Sequence, residues 1–353
     1  MLQDAVPLGE LGRALVVKLR HHGDVLLAAP VLGALKAHAP RLEIDTLTYD
    51  DTAPMLAGHP ALSRLHAVGR DWRNENPISR FSKEFRLFSA LRARQYDLIL
   101  HLSEHPRGAW LARTLGARFS VAPAVPGRSA FWANSFTHVY PLPKNGRRHQ
   151  VELNLDALRR IGLQPEVQDK KVVFVPGPDA ERKIESLVEA KTYIHLHPAS
   201  RWRFKCWPAE KNAALVDRLS SLFRVVLTAA PEGDEMQLTE KIMSMSKSKP
   251  LNLAGKLTIK ELGALAARAR LFVGVDSMPM HLAAAMGTPV VALFGPSGEH
   301  EWGPWNVPHR VVTSAHPCRP CGNDGCGGGK VSECLSTLAV DRVHAACEEL
   351  LGS

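Results

Sequence analysis

The 353-residue chain holds no apolar run of the length a bilayer demands. The longest, residues 25–35, is broken at Pro30 and falls well short of the ~20 residues a transmembrane helix needs. Its first residues, Met-Leu-Gln-Asp-Ala-Val-Pro, carry neither a basic start nor an apolar core. No secretion signal is expected from them, and the cytosol is the expected compartment. A Gly-x-Gly-x-x-Gly loop is missing, which removes a nicotinamide-dependent dehydrogenase from the candidates. No Asp-x-Asp pair follows a strand to hold magnesium, so basic side chains are left to neutralise charge, and neither a metal nor a cofactor is expected. Cysteine is sparse, with Cys206 and Cys347 isolated and Cys318, Cys321, Cys326 and Cys334 spaced Cys-x2-Cys-x4-Cys-x7-Cys. That spacing is not a common zinc module, and disulfides are disfavoured in a reducing compartment. Reduced thiols in a glycine-rich loop are the first expectation and a structural zinc is the alternative.

What the chain does have is positive charge, a formal +9 with a pI near 9.4. The surplus is spread along the sequence, densest at Arg80, Lys83, Arg86, Arg92 and Arg94, and again at Lys144, Arg147, Arg148 and His149. Solvated faces are the plain reading of both clusters. Phosphorylated or membrane-surface substrates come next, and no nucleic-acid motif accompanies the charge, so nucleic acid is not expected as a partner.

Apolar periodicity alternates between strand and helix throughout, which points to parallel sheets covered on both faces. In the first half it predicts strands over residues 14–19, 43–48, 97–102 and 118–121, and helices over 25–38, 79–94, 105–115 and 151–161. A Val175-Pro-Gly-Pro-Asp passage then marks a domain boundary, giving domains of residues 1–175 and 176–353. In the second half, strands are predicted over 193–197, 224–228, 271–275 and 289–294, and helices over 208–222, 259–268 and 277–286. Pro208 suits a first helical position. A closing helix over 340–351 is left free to pack back on the first half.

Three segments carry chemistry. In the first, the apolar run of residues 14–19 stops at Arg20-His-His-Gly-Asp24, where a helix begins. Asp24 reads first as an N-cap and second as a base in a cleft. The second, Gly274-Val-Asp-Ser-Met-Pro-Met-His, ends a buried strand and starts a helix, placing Asp276, Ser277 and His281 at a helix start able to bind phosphate. Taken singly, Ser277 is a cap and His281 a core residue. The third, Ser200-Arg-Trp-Arg-Phe-Lys-Cys-Trp, sets Ser200, Arg201, Arg203 and Lys205 beside two tryptophans between a strand and a helix. Together the last two look like a diphosphate clamp, whose cation would offset charge growing on a departing phosphate.

With Lys18-Leu-Arg-His-His-Gly-Asp-Val-Leu-Leu and Cys318-Arg-Pro-Cys-Gly-Asn-Asp-Gly-Cys-Gly-Gly-Gly-Lys, these segments resemble the ADP-heptose:lipopolysaccharide heptosyltransferases of glycosyltransferase family 9. The likeness runs over nearly the whole chain and is greatest to the heptosyltransferase III branch. It implies an α/β chain of the GT-B fold, with two Rossmann-like domains facing across a cleft, and a metal-independent inverting enzyme. Asp24 would be the catalytic base. Lys205 would contact the diphosphate and donor sugar, and Ser200, Asp276, Ser277, Met278 and His281 would bind the ADP-L-glycero-D-manno-heptose donor, with Glu232 on the ribose. Arg20, His21 and His22 would lie near a phosphorylated inner-core acceptor, and the Arg80–Arg94 face near that acceptor or the inner membrane. Two alternatives stand beside this reading: the same fold using another nucleotide sugar or acceptor, and a non-catalytic, zinc-stapled binding protein.

Overall fold

The computed structural model describes residues 4–143, 147–190 and 192–352, so Lys144 of the second basic cluster lies outside the described residues. The chain divides into two units, Met1–Val175 and Pro176–Ser353.

In the first unit the strands are β1 (Arg13–Val17), β2 (Glu43–Tyr49), β3 (Arg64–Val68), β4 (Leu98–His101), β5 (Phe119–Ala124) and β6 (His138–Pro141). They pair in parallel in the order β3-β2-β1-β4-β5-β6. Residues Ala14 to Val17 are buried on both faces, as a central parallel strand requires. The helices are α1 (His22–Leu26), α2 (Ala29–His38), α3 (Pro77–Arg92), α4 (Arg107–Thr114), α5 (Ala130–Ala133) and α6 (Gln150–Arg160). The helix expected over 25–38 is therefore two. Pro30 has no amide to donate to Leu26, and the Ala28 amide bonds Val25 instead, at 3.1 Å. Helix α3 starts two residues earlier than expected, because Pro77 fills its first position and the Asn76 side chain accepts the Ser79 amide at 2.8 Å. Gly108 opens α4 directly over His101, and a Cβ there would stand 2.2 Å from the imidazole.

The second unit repeats the plan with β7 (Tyr193–His197), β8 (Arg224–Leu227), β9 (Leu251–Asn252), β10 (Leu271–Val275), β11 (Val290–Leu293) and β12 (His309–Val312). Their order is β12-β11-β10-β7-β8-β9, again all parallel. Counted from each unit's first strand, the two sheets share one topology. The helices are α7 (Pro178–Leu187), α8 (Ala209–Leu219), α9 (Gly233–Met245), α10 (Ile259–Arg268), α11 (Met278–Ala285), α12 (Glu299–Trp302), α13 (Glu333–Ser336) and α14 (Val340–Leu351). Pro208 is the extended residue before α8 (ψ 144°), not its first helical position. The last helix packs into the core of the second unit, where Val343, Ala346, Cys347 and Leu350 join Trp207, Val273 and Leu335. Among the described residues, no helix is long and apolar enough to cross a membrane.

Candidate active site

In a doubly wound sheet, ligands gather at the carboxyl ends of the two strands where the chain reverses its direction of winding. Those strands are β1 and β4 in the first sheet and β7 and β10 in the second. The polar residues singled out from the sequence lie mostly at these two points.

At the first point, β1 runs into Lys18, Leu19 and Arg20 before α1 begins at His22. The N-cap is His21, so capping does not account for Asp24, which sits in the first turn with its side chain 11% exposed. The Arg20 guanidinium lies 3.5 Å from the Asp24 carboxylate. The turn is held from two sides. Arg70 donates to the Arg20 carbonyl at 2.8 Å and to Asp51 at 2.8 Å, and lies 3.8 Å over the Tyr49 ring. The His22 Nε2 is 3.0 Å from the Asp51 carbonyl. Beneath the turn, buried Lys18 donates to the Leu102 carbonyl at 2.8 Å and to Asn154 at 2.9 Å, and Asn154 donates in turn to Leu27 at 2.9 Å. Burial lowers the Lys18 pKa to about 8, against the opposing pull of Asp24. Lys18 thus pins β1, the exit of β4 and α6 together. Its role rests on burial and on partners distant in the chain, so the local sequence does not display it.

Beside this turn the first unit opens a cavity of about 280 Å³ at the ends of β2 and β3, lined by Tyr49, Trp72, Arg70, Arg73, Arg80 and Arg107 among others. Arg107 makes two 2.6 Å hydrogen bonds to Glu84. The guanidiniums of Arg73 and Arg80 are exposed and have no hydrogen-bond partner among the described residues. Four arginines against one lining carboxylate leave the cavity strongly cationic. Only Arg80 belongs to a basic cluster of the sequence; Arg70 and Arg73 share one 3-10 turn and Arg107 opens α4, and the fold gathers them.

At the second point, β7 leads through Ser200 into a short 3-10 turn, Arg203–Lys205, while β10 ends one residue before Asp276. The Lys205 ammonium meets the Asp276 carboxylate at 2.6 Å, joining the two strand exits. Ser277 is the backbone N-cap of α11, but its hydroxyl donates back to the Val275 carbonyl at 3.2 Å. Pro279 has no amide, and the Met280 amide is taken by the Ser277 carbonyl at 3.1 Å. The amides of Ser277 and Met278 have no acceptor among the described residues. Two backbone donors at a helix start beside a lysine make an anion cradle.

The other expected donor residues take different places. Ser200 is buried, its hydroxyl accepting the Trp202 amide at 3.3 Å. Arg201 and Arg203 are exposed, and Trp202 stacks on Phe204 at 6.0 Å. His281 is buried one turn into α11, its ring 6.3 Å from that of Trp302. Glu232 is exposed ahead of α9, whereas Glu235, not singled out, is buried and accepts the Ala230 amide at 2.9 Å. Burial raises the Glu235 pKa. Behind it the Thr228 hydroxyl lies 2.8 Å from both His195 and His197, whose own burial keeps them neutral. This polar cluster fixes the ends of β7 and β8 beneath the cradle.

Cys318, Cys321 and Cys326 are exposed, Cys334 is buried, and all four are free thiols, with His316 3.2 Å from Cys318. Among the described residues no group of three or more His, Cys, Asp or Glu is arranged to hold a metal ion, so the zinc staple finds no ligand set there.

A family model described as glycosyltransferase family 9 (heptosyltransferase) matches residues 84–331. The chain is 36% identical over 293 residues to lipopolysaccharide heptosyltransferase 3 of Escherichia coli, covering 82% of this chain and 85% of that one. It is 27% identical to lipopolysaccharide heptosyltransferase 1 of Pseudomonas aeruginosa, covering 95% and 93%. In fold it is similar to a family 9 glycosyl transferase from Veillonella parvula, with a TM-score of 0.84 at 21% identity over 99% of both chains. It is also similar to the E. coli heptosyltransferase WaaC with ADP, with a TM-score of 0.74 at 21% identity over 96% and 99%.

Proposed function

Because the chain belongs to glycosyltransferase family 9, the heptosyltransferases, we propose that it moves L-glycero-D-manno-heptose from ADP-heptose onto a heptose of the lipopolysaccharide inner core, with inversion. The observation that carries this reading is the cradle of Lys205, Asp276 and the unpaired Ser277 and Met278 amides at the switch point of the second sheet. A diphosphate supplies the acceptor oxygens those donors lack. A solved relative, the E. coli heptosyltransferase WaaC, was crystallised with ADP-2-deoxy-2-fluoro heptose, a ligand of the proposed class.

In this mechanism Asp24 takes the proton of an acceptor hydroxyl as that oxygen attacks the anomeric carbon of the donor. The bond from that carbon to the diphosphate breaks, and its electron pair leaves on ADP. Lys205 and the two amides offset the charge arriving on the leaving diphosphate, which acts on the transition state more than on binding. Asp276 holds the ammonium in place between the strand exits. The chain's own cations fill the role a metal has elsewhere, so a chelator leaves the rate unchanged. The arginine-walled cavity beside Arg20, His21 and His22 takes the anionic groups of a phosphorylated acceptor. Asp24 belongs to the first unit and Lys205 to the second.

Transfer from ADP-heptose to a truncated core acceptor, with linkage analysis of the product, tests the proposal. An α-linked heptose supports it; a retained anomeric configuration removes the single displacement. Activity only with another nucleotide sugar would favour the same fold with a different donor.

A further inference from the structure

Granted that the cradle of the second unit takes the donor diphosphate, we propose that Ser332 is the positioning residue that holds Lys205 to it. Ser332 is 4% exposed and is the backbone N-cap of α13. A serine at that place ordinarily turns its hydroxyl onto the first amides of its own helix. Here the hydroxyl makes no capping bond and donates instead to the Phe204 carbonyl at 2.7 Å, 128 residues away in the chain. The peptide that leads into Lys205 is thereby held at both of its polar ends, because the Lys205 amide donates to the Trp202 carbonyl at 2.8 Å. With that peptide fixed, the backbone of Lys205 has little freedom to swing, and its ammonium is kept 2.6 Å from Asp276.

Ser332 can bear this role because its own segment is anchored independently of Lys205. The Trp207 indole donates to the Leu338 carbonyl at 3.2 Å, Lys211 donates to the same carbonyl at 2.8 Å, and Leu335 and Leu338 share a core with Trp207. Upstream, Arg319 donates to the Gly295 carbonyl at 2.7 Å and the Gly322 amide to the Pro296 carbonyl at 2.9 Å. Phe204 follows β7 and Gly295 follows β11, and these two strands flank β10, which ends one residue before Asp276. Residues 319–338 therefore tie together the exits on either side of the strand that supplies Asp276. Closing α13 would require only a hydroxyl turned onto α13. Holding the Lys205 turn accounts for where the hydroxyl points.

Calorimetry of ADP binding to the full chain tests the inference through a double-mutant cycle of Ser332→Ala and Lys205→Ala. Ser332→Ala should weaken ADP binding about three- to tenfold, the loss expected when a hydrogen bond that orients a charged donor is removed. In the Lys205→Ala background the same substitution should change ADP affinity by less than about twofold, because the group it positions is gone. Ser332→Cys keeps the shape but donates weakly, so its affinity should fall between those of the wild type and Ser332→Ala. It also replaces Ser332→Ala in the cycle should that variant not fold. Wild-type affinity in the Ser332 variant beside a weakened Lys205→Ala overturns this inference alone, whatever the melting temperatures. A loss that persists undiminished in the Lys205→Ala background overturns it as well, since the hydroxyl then acts through another group. Unchanged affinity in Lys205→Ala overturns the cradle and this inference together.

Discussion

At the residue scale, two side chains divide the proposed chemistry and should fail differently. Asp24→Asn removes the base while leaving the second unit untouched. Turnover should drop by the ~10²–10⁴ typical of a lost general base, with ADP affinity by calorimetry unchanged. Near-normal turnover would remove Asp24 from the mechanism. Lys205→Ala deletes a charged donor and leaves Asp276 beside the diphosphate without its partner at 2.6 Å. A charge-assisted hydrogen bond is worth about 1.5–3 kcal/mol, so ADP binding should weaken roughly 10- to 100-fold, with turnover falling as well. Unchanged calorimetric affinity would dismiss the cradle. Both residues were legible in the sequence because each interrupts a strand-to-helix turn with unexpected charge. Lys18 and Glu235 were not. Their importance comes from burial and from hydrogen-bond partners such as Asn154 and Ala230, which no local pattern displays.

At the element scale, strands such as β10 and β11 declare themselves through unbroken apolar runs, while β3, β6, β9 and β12 escape. β3, β6 and β12 are partly exposed and carry too few apolar residues for a clear period, and β9 has only two residues. What holds β2 against the end of α3 was equally hidden. Asp45 is fully buried and receives Arg94 at 2.7 Å and Tyr96 at 2.8 Å, with His66 at 3.5 Å. Burial alone would raise its pKa, but hydrogen bonds from His66, Arg94 and Tyr96 outweigh burial and hold it at about 2. A depressed carboxylate pKa contributes stability that is complete above the unfolded value of 3.8 and is lost as pH falls towards 2. Asp45→Ala removes one of the two carboxylates that Arg94 holds and an acceptor of the Tyr96 hydroxyl, and should cost about 1–3 kcal/mol at neutral pH by chemical denaturation. Its deficit against the wild type should shrink below pH 4. A deficit independent of pH would mean that packing, not the ionised carboxylate, is what matters.

At the scale of the whole molecule, the sequence disclosed two α/β domains but not the gathering of Arg70, Arg73, Arg80 and Arg107 around one cavity. Charge spread over the chain looks like solvation until the fold concentrates it. With a net charge of +9, kcat/KM for a phosphorylated acceptor should fall as salt rises, while that for a dephosphorylated one should change little. Arg73→Ala, which breaks no ion pair among the described residues, should raise the KM for the phosphorylated acceptor several-fold and leave the KM for ADP-heptose alone. An equal rise for both acceptors would remove phosphate recognition from the cavity. The shared strand order of the two sheets carries a further consequence, because each half closes a hydrophobic interior of its own. A hybrid joining residues 1–175 of this chain to the matching second unit of a relative keeps each interior within one parent. Under the proposed function, nucleotide selectivity in transfer assays of the hybrid should follow the second parent and sugar-chain selectivity the first.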